Sequence, residues 1–167
     1  MRRAVELQPD HPDFHINLGN VLTALGKCQD ALQAYDRALA LRPDSADAHC
    51  NRGVVLRAIE RDSEAEAAYR AAIGHDPEHA GAFHNLGNLL NDSRRPAEAC
   101  EAYEKALSLK EGFSEAFQLL AKTQYRMGQH DAAIQTIRRW LSVSPEDPIA
   151  RHLLAACEGR NVPARAA

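Results

Sequence analysis

Residues 80–113 read AGAFHNLGNLLNDSRRPAEACEAYEKALSLKEGF, and this stretch decides the fold because its landmarks recur on both sides of it. Gly87 is preceded by Gly53 and Gly19, and Tyr103 by Tyr69 and Tyr35. Ala106 follows Ala72, Ala38 and Ala4, and Ala99 belongs to a column running from Ala31 and Ala65 to Ala133. Asn85 repeats Asn51 and Asn17. Every step is 34 residues, and Pro9, Pro43 and Pro77 keep the same step, which continues through Glu111 to Pro145. So many columns in one register define an internal repeat.

The columns have a physical reading of their own. Glycine and alanine at three fixed places let two helix backbones approach closely, where larger side chains would force them apart. The tyrosine column fills the space between one repeat and the next. Proline cannot continue a helix, so Pro43 and Pro77 mark turns after a second helix. Asp44, Ser45 and Asp76 stand in these turns, where side-chain oxygens can cap the helix that follows. Each unit leaves an apolar face uncovered, so stability comes from stacking on neighbours.

Composition agrees with a helical protein. The chain has 167 residues, 45% hydrophobic but only 5% aromatic, and 30 of them are alanine. This favours close-packed helices over a β-sandwich. A formal charge of −3 gives neither a nucleic-acid footprint nor a polybasic membrane signal. No apolar run approaches the ~18 residues of a membrane span, and Met1-Arg2-Arg3 leads into a polar segment without a secretory core. Cys28, Cys50, Cys100 and Cys157 are scattered, without the spacing of a zinc site. We therefore expect a cytoplasmic protein with reduced thiols, no metal and no cofactor.

The period and residue order resemble the tetratricopeptide repeat (TPR), a helix–turn–helix unit. That pattern has an aromatic at position 4, Leu-Gly at 7–8, a large residue at 11, Ala at 20, an aromatic at 24, Ala at 27 and Pro at 32. Residues 12–45 supply His15, Leu18-Gly19, Leu22, Ala31, Tyr35, Ala38 and Pro43. Residues 46–79 depart at Arg52 but keep Gly53, Leu56, Ala65, Tyr69, Ala72 and Pro77. Residues 80–113 keep all but the proline, and 114–147 form a degenerate fourth unit, with Ala121, Ile137 and Trp140 in the glycine, aromatic and small columns. A Trp there requires the local packing to open or rotate. Residues 1–11 match the remnant second helix of a preceding repeat. A capping helix is expected over 148–158, with Ile149, Leu153 and Leu154 on its buried stripe, ended by Gly159 and followed by a linker or disordered tail over 159–167. The resemblance implies an all-α fold, a right-handed superhelical α-solenoid of antiparallel helix pairs.

In that architecture the first helices line a concave groove, with positions 2, 5, 6, 9, 12 and 13 facing it. This gives a candidate peptide-binding set of Asn17, Asn20, Asn51, Arg57, His84, Asn85, Asn88, Asn91, Lys122 and Tyr125. An asparagine amide both donates and accepts, so a row of them can pair with the backbone of an extended peptide of any sequence. The row is similar to the asparagine ladder in the TPR domain of O-linked N-acetylglucosamine transferases, which grips substrate peptides. The other reading is that each Asn bonds to the helix of a neighbouring repeat. A chaperone-tail carboxylate clamp is disfavoured: Asn20 and Asn51 fit it, but Ile16, Gly81 and Asn85 stand where cations are needed.

Catalysis finds little support. His84 and Cys50 face the groove one repeat apart, beyond hydrogen-bond reach for helices about 10 Å apart, so His84 reads as a solvated groove residue. Pro77 separates His75 from His79 and breaks the helix that would align them on one metal. The leading expectation is a non-catalytic interaction module that holds a protein or peptide segment. Two others stand beside it. One is a substrate-recruiting TPR fragment of a larger bacterial enzyme of methyltransferase or glycosyltransferase type, suggested by the mid-repeat start and the tail EGRNVPARAA. The other is a scaffold that self-associates through exposed terminal helices.

Overall fold

The computed structural model describes residues 11–160; the remnant helix expected before residue 11 and the linker after residue 160 lie outside the described residues. Within them are nine α-helices and no strand. They are α1 (Pro12–Ala24), α2 (Cys28–Leu41), α3 (Ala46–Ala58), α4 (Asp62–His75), α5 (Ala80–Asp92), α6 (Pro96–Leu109), α7 (Ser114–Arg126), α8 (His130–Val143) and α9 (Pro148–Arg160). Odd-numbered helices begin at residues 12, 46, 80, 114 and 148, and even-numbered ones at 28, 62, 96 and 130, so both series keep the 34-residue step. The chain divides into two compact units between Leu89 and Leu90. In the first, α1 packs on α2, α2 on α3 and α3 on α4; in the second, α6 packs on α7, α7 on α8 and α8 on α9.

The turn inside each repeat is built the same way. Position 15 is left-handed every time: Gly26 at φ 69°, Glu60 at 60°, Arg94 at 58° and Gly128 at 76°. The next amide then reaches back to the carbonyl five residues earlier, at 2.9 Å for Lys27 to Leu22, Arg61 to Leu56 and Gln129 to Gln124, and at 2.8 Å for Arg95 to Leu90. This double-bonded ending satisfies carbonyls that the helix end would otherwise leave open. Between repeats the capping residue stands at position 34. The Ser45 hydroxyl accepts from the Ala48 amide at 3.4 Å, and Asp147 Oδ1 from Ile149 and Ala150 at 2.9 and 3.1 Å. His79 takes this place before α5, its Nδ1 accepting from the Ala82 amide at 3.0 Å. Asp76 instead braces the turn itself, accepting from the Glu78 amide at 2.9 Å.

The tyrosine column also packs within each repeat. Tyr35 and Tyr69, each 1% exposed, lie against the glycine of their own repeat. A Cβ on Gly19 would fall 2.5 Å from Tyr35 Cε1, which is why no larger residue fits there. A further column escapes the sequence reading: Ala48, Ala82, Ala116 and Ala150, at position 3 of successive repeats, are all fully buried. Arg52, in a place usually held by leucine, is half-buried and donates to Asp36 Oδ1 at 2.7 Å, so its stem packs while its charge is met on α2.

In the fourth repeat, Ala121 and Ile137 replace the Gly–Tyr pair and are both buried. Trp140 is 1% exposed and stacks parallel to Phe117, ring centroids 6.1 Å apart. Two expectations for the last helix are corrected. Ile149 is 47% exposed, and Ala150 is the buried anchor, because position 3 rather than position 2 faces the preceding repeat. The helix also passes through Gly159 to Arg160, since nothing at Gly159 imposes a left-handed conformation.

Candidate functional site

The predicted site residues fall into distinct environments, taken unit by unit. In the first unit, Asn20 and Asn51 come together. Asn20 Oδ1 accepts from the Tyr35 hydroxyl at 2.7 Å and from Asn51 Nδ2 at 3.0 Å. Thr23 Oγ1 donates to the Gly19 carbonyl at 2.8 Å and lies 3.3 Å from the same Tyr35 hydroxyl. The phenol of the packing tyrosine thus reaches the first-helix face and fixes the asparagine there. A small cavity of about 140 Å³ sits over this cluster, lined by Asn20, Thr23, Tyr35, Asn51 and Val54.

Asn17 is exposed and makes no hydrogen bond among the described residues. Asn51 commits its nitrogen to Asn20, while its Oδ1 accepts no bond among them. Asn85 Nδ2 donates to Cys50 Sγ at 3.5 Å. Both ladder amides therefore bond back to the preceding first helix, the geometry of a structural link between repeats. Arg57 is half-buried on α3.

His84 is a correction. It is 6% exposed rather than solvated, with Asn88 Nδ2 3.1 Å from its Nε2. Its position is shared with Cys50, also at position 5 and 4% exposed, so this column is buried in both repeats. Burial pushes the Cys50 thiol up from its ordinary value, more than the Asn85 hydrogen bond lowers it. A buried thiol held protonated is a poor nucleophile. His75 and His79 have separate partners: His75 stacks on His49 at 5.2 Å, and His79 Nε2 lies 3.2 Å from Asp47 Oδ1. Among the described residues, no three His, Cys, Asp or Glu side chains are grouped to hold a metal.

In the second unit, Asn91 Oδ1 accepts from Arg126 Nη2 at 2.8 Å and from Thr123 Oγ1 at 3.4 Å. Lys122 is exposed and without a partner among the described residues, and Tyr125 stands edge-on to His130 at 4.5 Å. Lys122 and Tyr125 border a mostly apolar cavity of about 320 Å³, whose other walls are Ala121, Arg126, Ile137, Leu153, Ala156 and Cys157. The sequence reading placed none of those six in the site. The one available signal was Ile137, where a bulky column loses its ring.

Comparison with known families accounts for this geometry. A TPR repeat family matches residues 19–59, and two further tetratricopeptide repeat families match 58–112 and 90–157. The chain is therefore built from tetratricopeptide repeats. Among solved structures it is similar to MamA, at 25% identity over 87% of this chain and 85% of that one, with a TM-score of 0.78. YrrB, described as a TPR protein with an unusual peptide-binding site, is 24% identical over 95% of this chain and 82% of its own, with a TM-score of 0.77. Pseudomonas aeruginosa PilF is likewise 24% identical, over 95% and 78%, with a TM-score of 0.78. No curated protein sequence matches this one. Among the described residues no helix is long and apolar enough to cross a membrane.

Proposed function

We propose that this chain is a non-catalytic interaction module that binds a peptide or partner segment along the first-helix faces of its repeats. The observation that carries the reading is the Asn20–Asn51–Tyr35 cluster. There the asparagine nitrogen is spent on the scaffold, while the Asn51 oxygen and the whole Asn17 amide stay available for a peptide backbone. The likeness to YrrB, a TPR protein with a peptide-binding site, supports the class of ligand through the shared fold. The buried, protonated Cys50 and the enclosed His84 support a module without chemistry of its own.

The test is capture of peptides by the intact chain and by Asn17→Ala/Asn51→Ala. The reading expects binding to the intact chain and a loss of tenfold or more in the variant, with helicity retained. Equal binding by both proteins overturns the role of the asparagines.

A second reading, self-assembly, is favoured by Val143 and Ile149, 41% and 47% exposed on either side of the last turn. Sedimentation of Val143→Ser/Ile149→Ser against the parent chain decides it. A parent that is already monomeric at high concentration removes it.

A further inference from the structure

The cavities at the two ends of the described chain occupy the same repeat positions and differ in what fills them. In the first repeat, the Tyr35 ring fills the space behind the first-helix face, and its hydroxyl is held by Asn20. That leaves about 140 Å³, bordered by Asn20, Thr23, Tyr35, Asn51 and Val54. In the fourth, position 24 is Ile137, position 9 is Lys122, and the next position 6 is Leu153 in place of asparagine. The counterparts of the Tyr35 ring, its hydroxyl and both amides are absent, while Tyr125 stands where the first repeat has Thr23. What remains is an apolar recess of about 320 Å³ between α7, α8 and α9. Its rim carries two exposed cations, Lys122 and Arg126, neither of which forms an ion pair among the described residues. Arg126 makes a single hydrogen bond, to Asn91. No carboxylate lines the recess.

The geometry points to a side-chain subsite: an extended segment of a partner protein inserts one large apolar residue of leucine or phenylalanine size here and sets acidic residues against Lys122 and Arg126. The inference rests on the peptide-binding reading and adds which peptides are chosen. The mostly apolar walls reward burial of one apolar side chain. The unpaired cations reward neighbouring carboxylates and reject basic ones, so selectivity comes from both attraction and repulsion.

The experiment is selection of a phage-displayed random nonapeptide library on the full chain, followed by fluorescence polarisation of the most enriched peptide. The expected consensus is a large apolar residue with Asp or Glu within two positions. Ala121→Gly/Ile137→Tyr refills the recess with the Gly–Tyr pair that the first two repeats already pack. It should bind the selected peptide at least tenfold more weakly, as should Lys122→Glu/Arg126→Glu and a peptide whose apolar residue is alanine. Far-ultraviolet circular dichroism verifies that each variant stays folded. Enriched peptides that ignore both variants but are lost with Asn17→Ala/Asn51→Ala overturn the subsite and leave the peptide-binding reading standing. A chain that enriches no peptide, yet binds dodecanoate in the recess, overturns both and makes the recess an amphiphile site.

Discussion

A Cβ built on Gly53 falls 2.6 Å from Cε1 of Tyr69, so the ring occupies the volume any side chain would need. Alanine is the better helix former by about 1 kcal/mol. Overpacking a buried contact typically costs about 1–3 kcal/mol. Gly53→Ala should therefore lower stability in urea unfolding, against the propensity trend. The pairing Ala121 with Ile137 in the fourth repeat supplies the rescue. Gly53→Ala/Tyr69→Ile should cost less than the sum of the single changes, and strict additivity would show that the two sites do not share this space.

Glu60 and Arg94 hold the left-handed place that Gly26 and Gly128 fill in the other repeats. A side chain there carries a penalty of about 1–2 kcal/mol that glycine avoids, partly offset by glycine's greater freedom in the unfolded chain. Glu60→Gly and Arg94→Gly should each raise stability by roughly 0.5–1 kcal/mol. Gly26→Ala should lower it by about 1 kcal/mol. Denaturant midpoints with unchanged slopes are the measurement, and a fall in midpoint for either glycine variant contradicts the account.

Trp140 is fully enclosed, yet its Nε1 has no hydrogen-bond partner among the described residues. Phenylalanine removes that stranded donor and keeps a ring for Phe117 to stack on. Trp140→Phe should cost less than Trp140→Ala, which should cost about 3–5 kcal/mol. A loss for the phenylalanine variant as large as that for alanine contradicts the account.

Burial pushes the Tyr69 phenol up to about 12 from an ordinary 10.0. Between those values the unfolded chain has lost the proton while the folded chain keeps it, so stability falls as pH rises. Below pH 10 both states are protonated and this group adds no slope. Unfolding followed from pH 9 to 12 should show an alkaline loss that Tyr69→Phe reduces. A variant with the same alkaline limb as the parent excludes Tyr69 as its source.

The helix pairs were legible because two kinds of residue carry strong packing information. Glycine at 19 and 53 leaves room for the rings of Tyr35 and Tyr69 that a side chain would take, so their 34-residue recurrence transmits the fold directly. Alanine transmits less. The buried column through Ala48, Ala82, Ala116 and Ala150 is lost among alanines that are exposed, such as Ala58 and Ala97. The site was only partly legible for a related reason. Positions facing the groove and positions facing the next first helix differ by one residue along a helix. Cys50 and His84 at position 5 turn inward, while Asn51 and Asn85 beside them remain half-buried. The change from Tyr to Ile at 137 was visible as a broken pattern, but the space it vacates depends on where Leu153 and Ala156 end up, and that follows from packing.

The identical phase of the helix boundaries also bears on how such a chain can change length. Deleting residues 46–79 would join Ser45 directly to Ala80, Gly81 and Ala82. The capping hydroxyl would meet Ala82 where it now meets Ala48, and both alanines are already buried. Duplicating the same block would instead join His79 to Ala46, so that the imidazole now capping Ala82 would meet Ala48. Gene recombination in steps of 102 nucleotides is therefore close to silent at the joints, while a change of a single codon within a turn shifts the left-handed position and the cap together. The 34-residue block is an exchangeable part, and its boundaries are where the fold tolerates cutting.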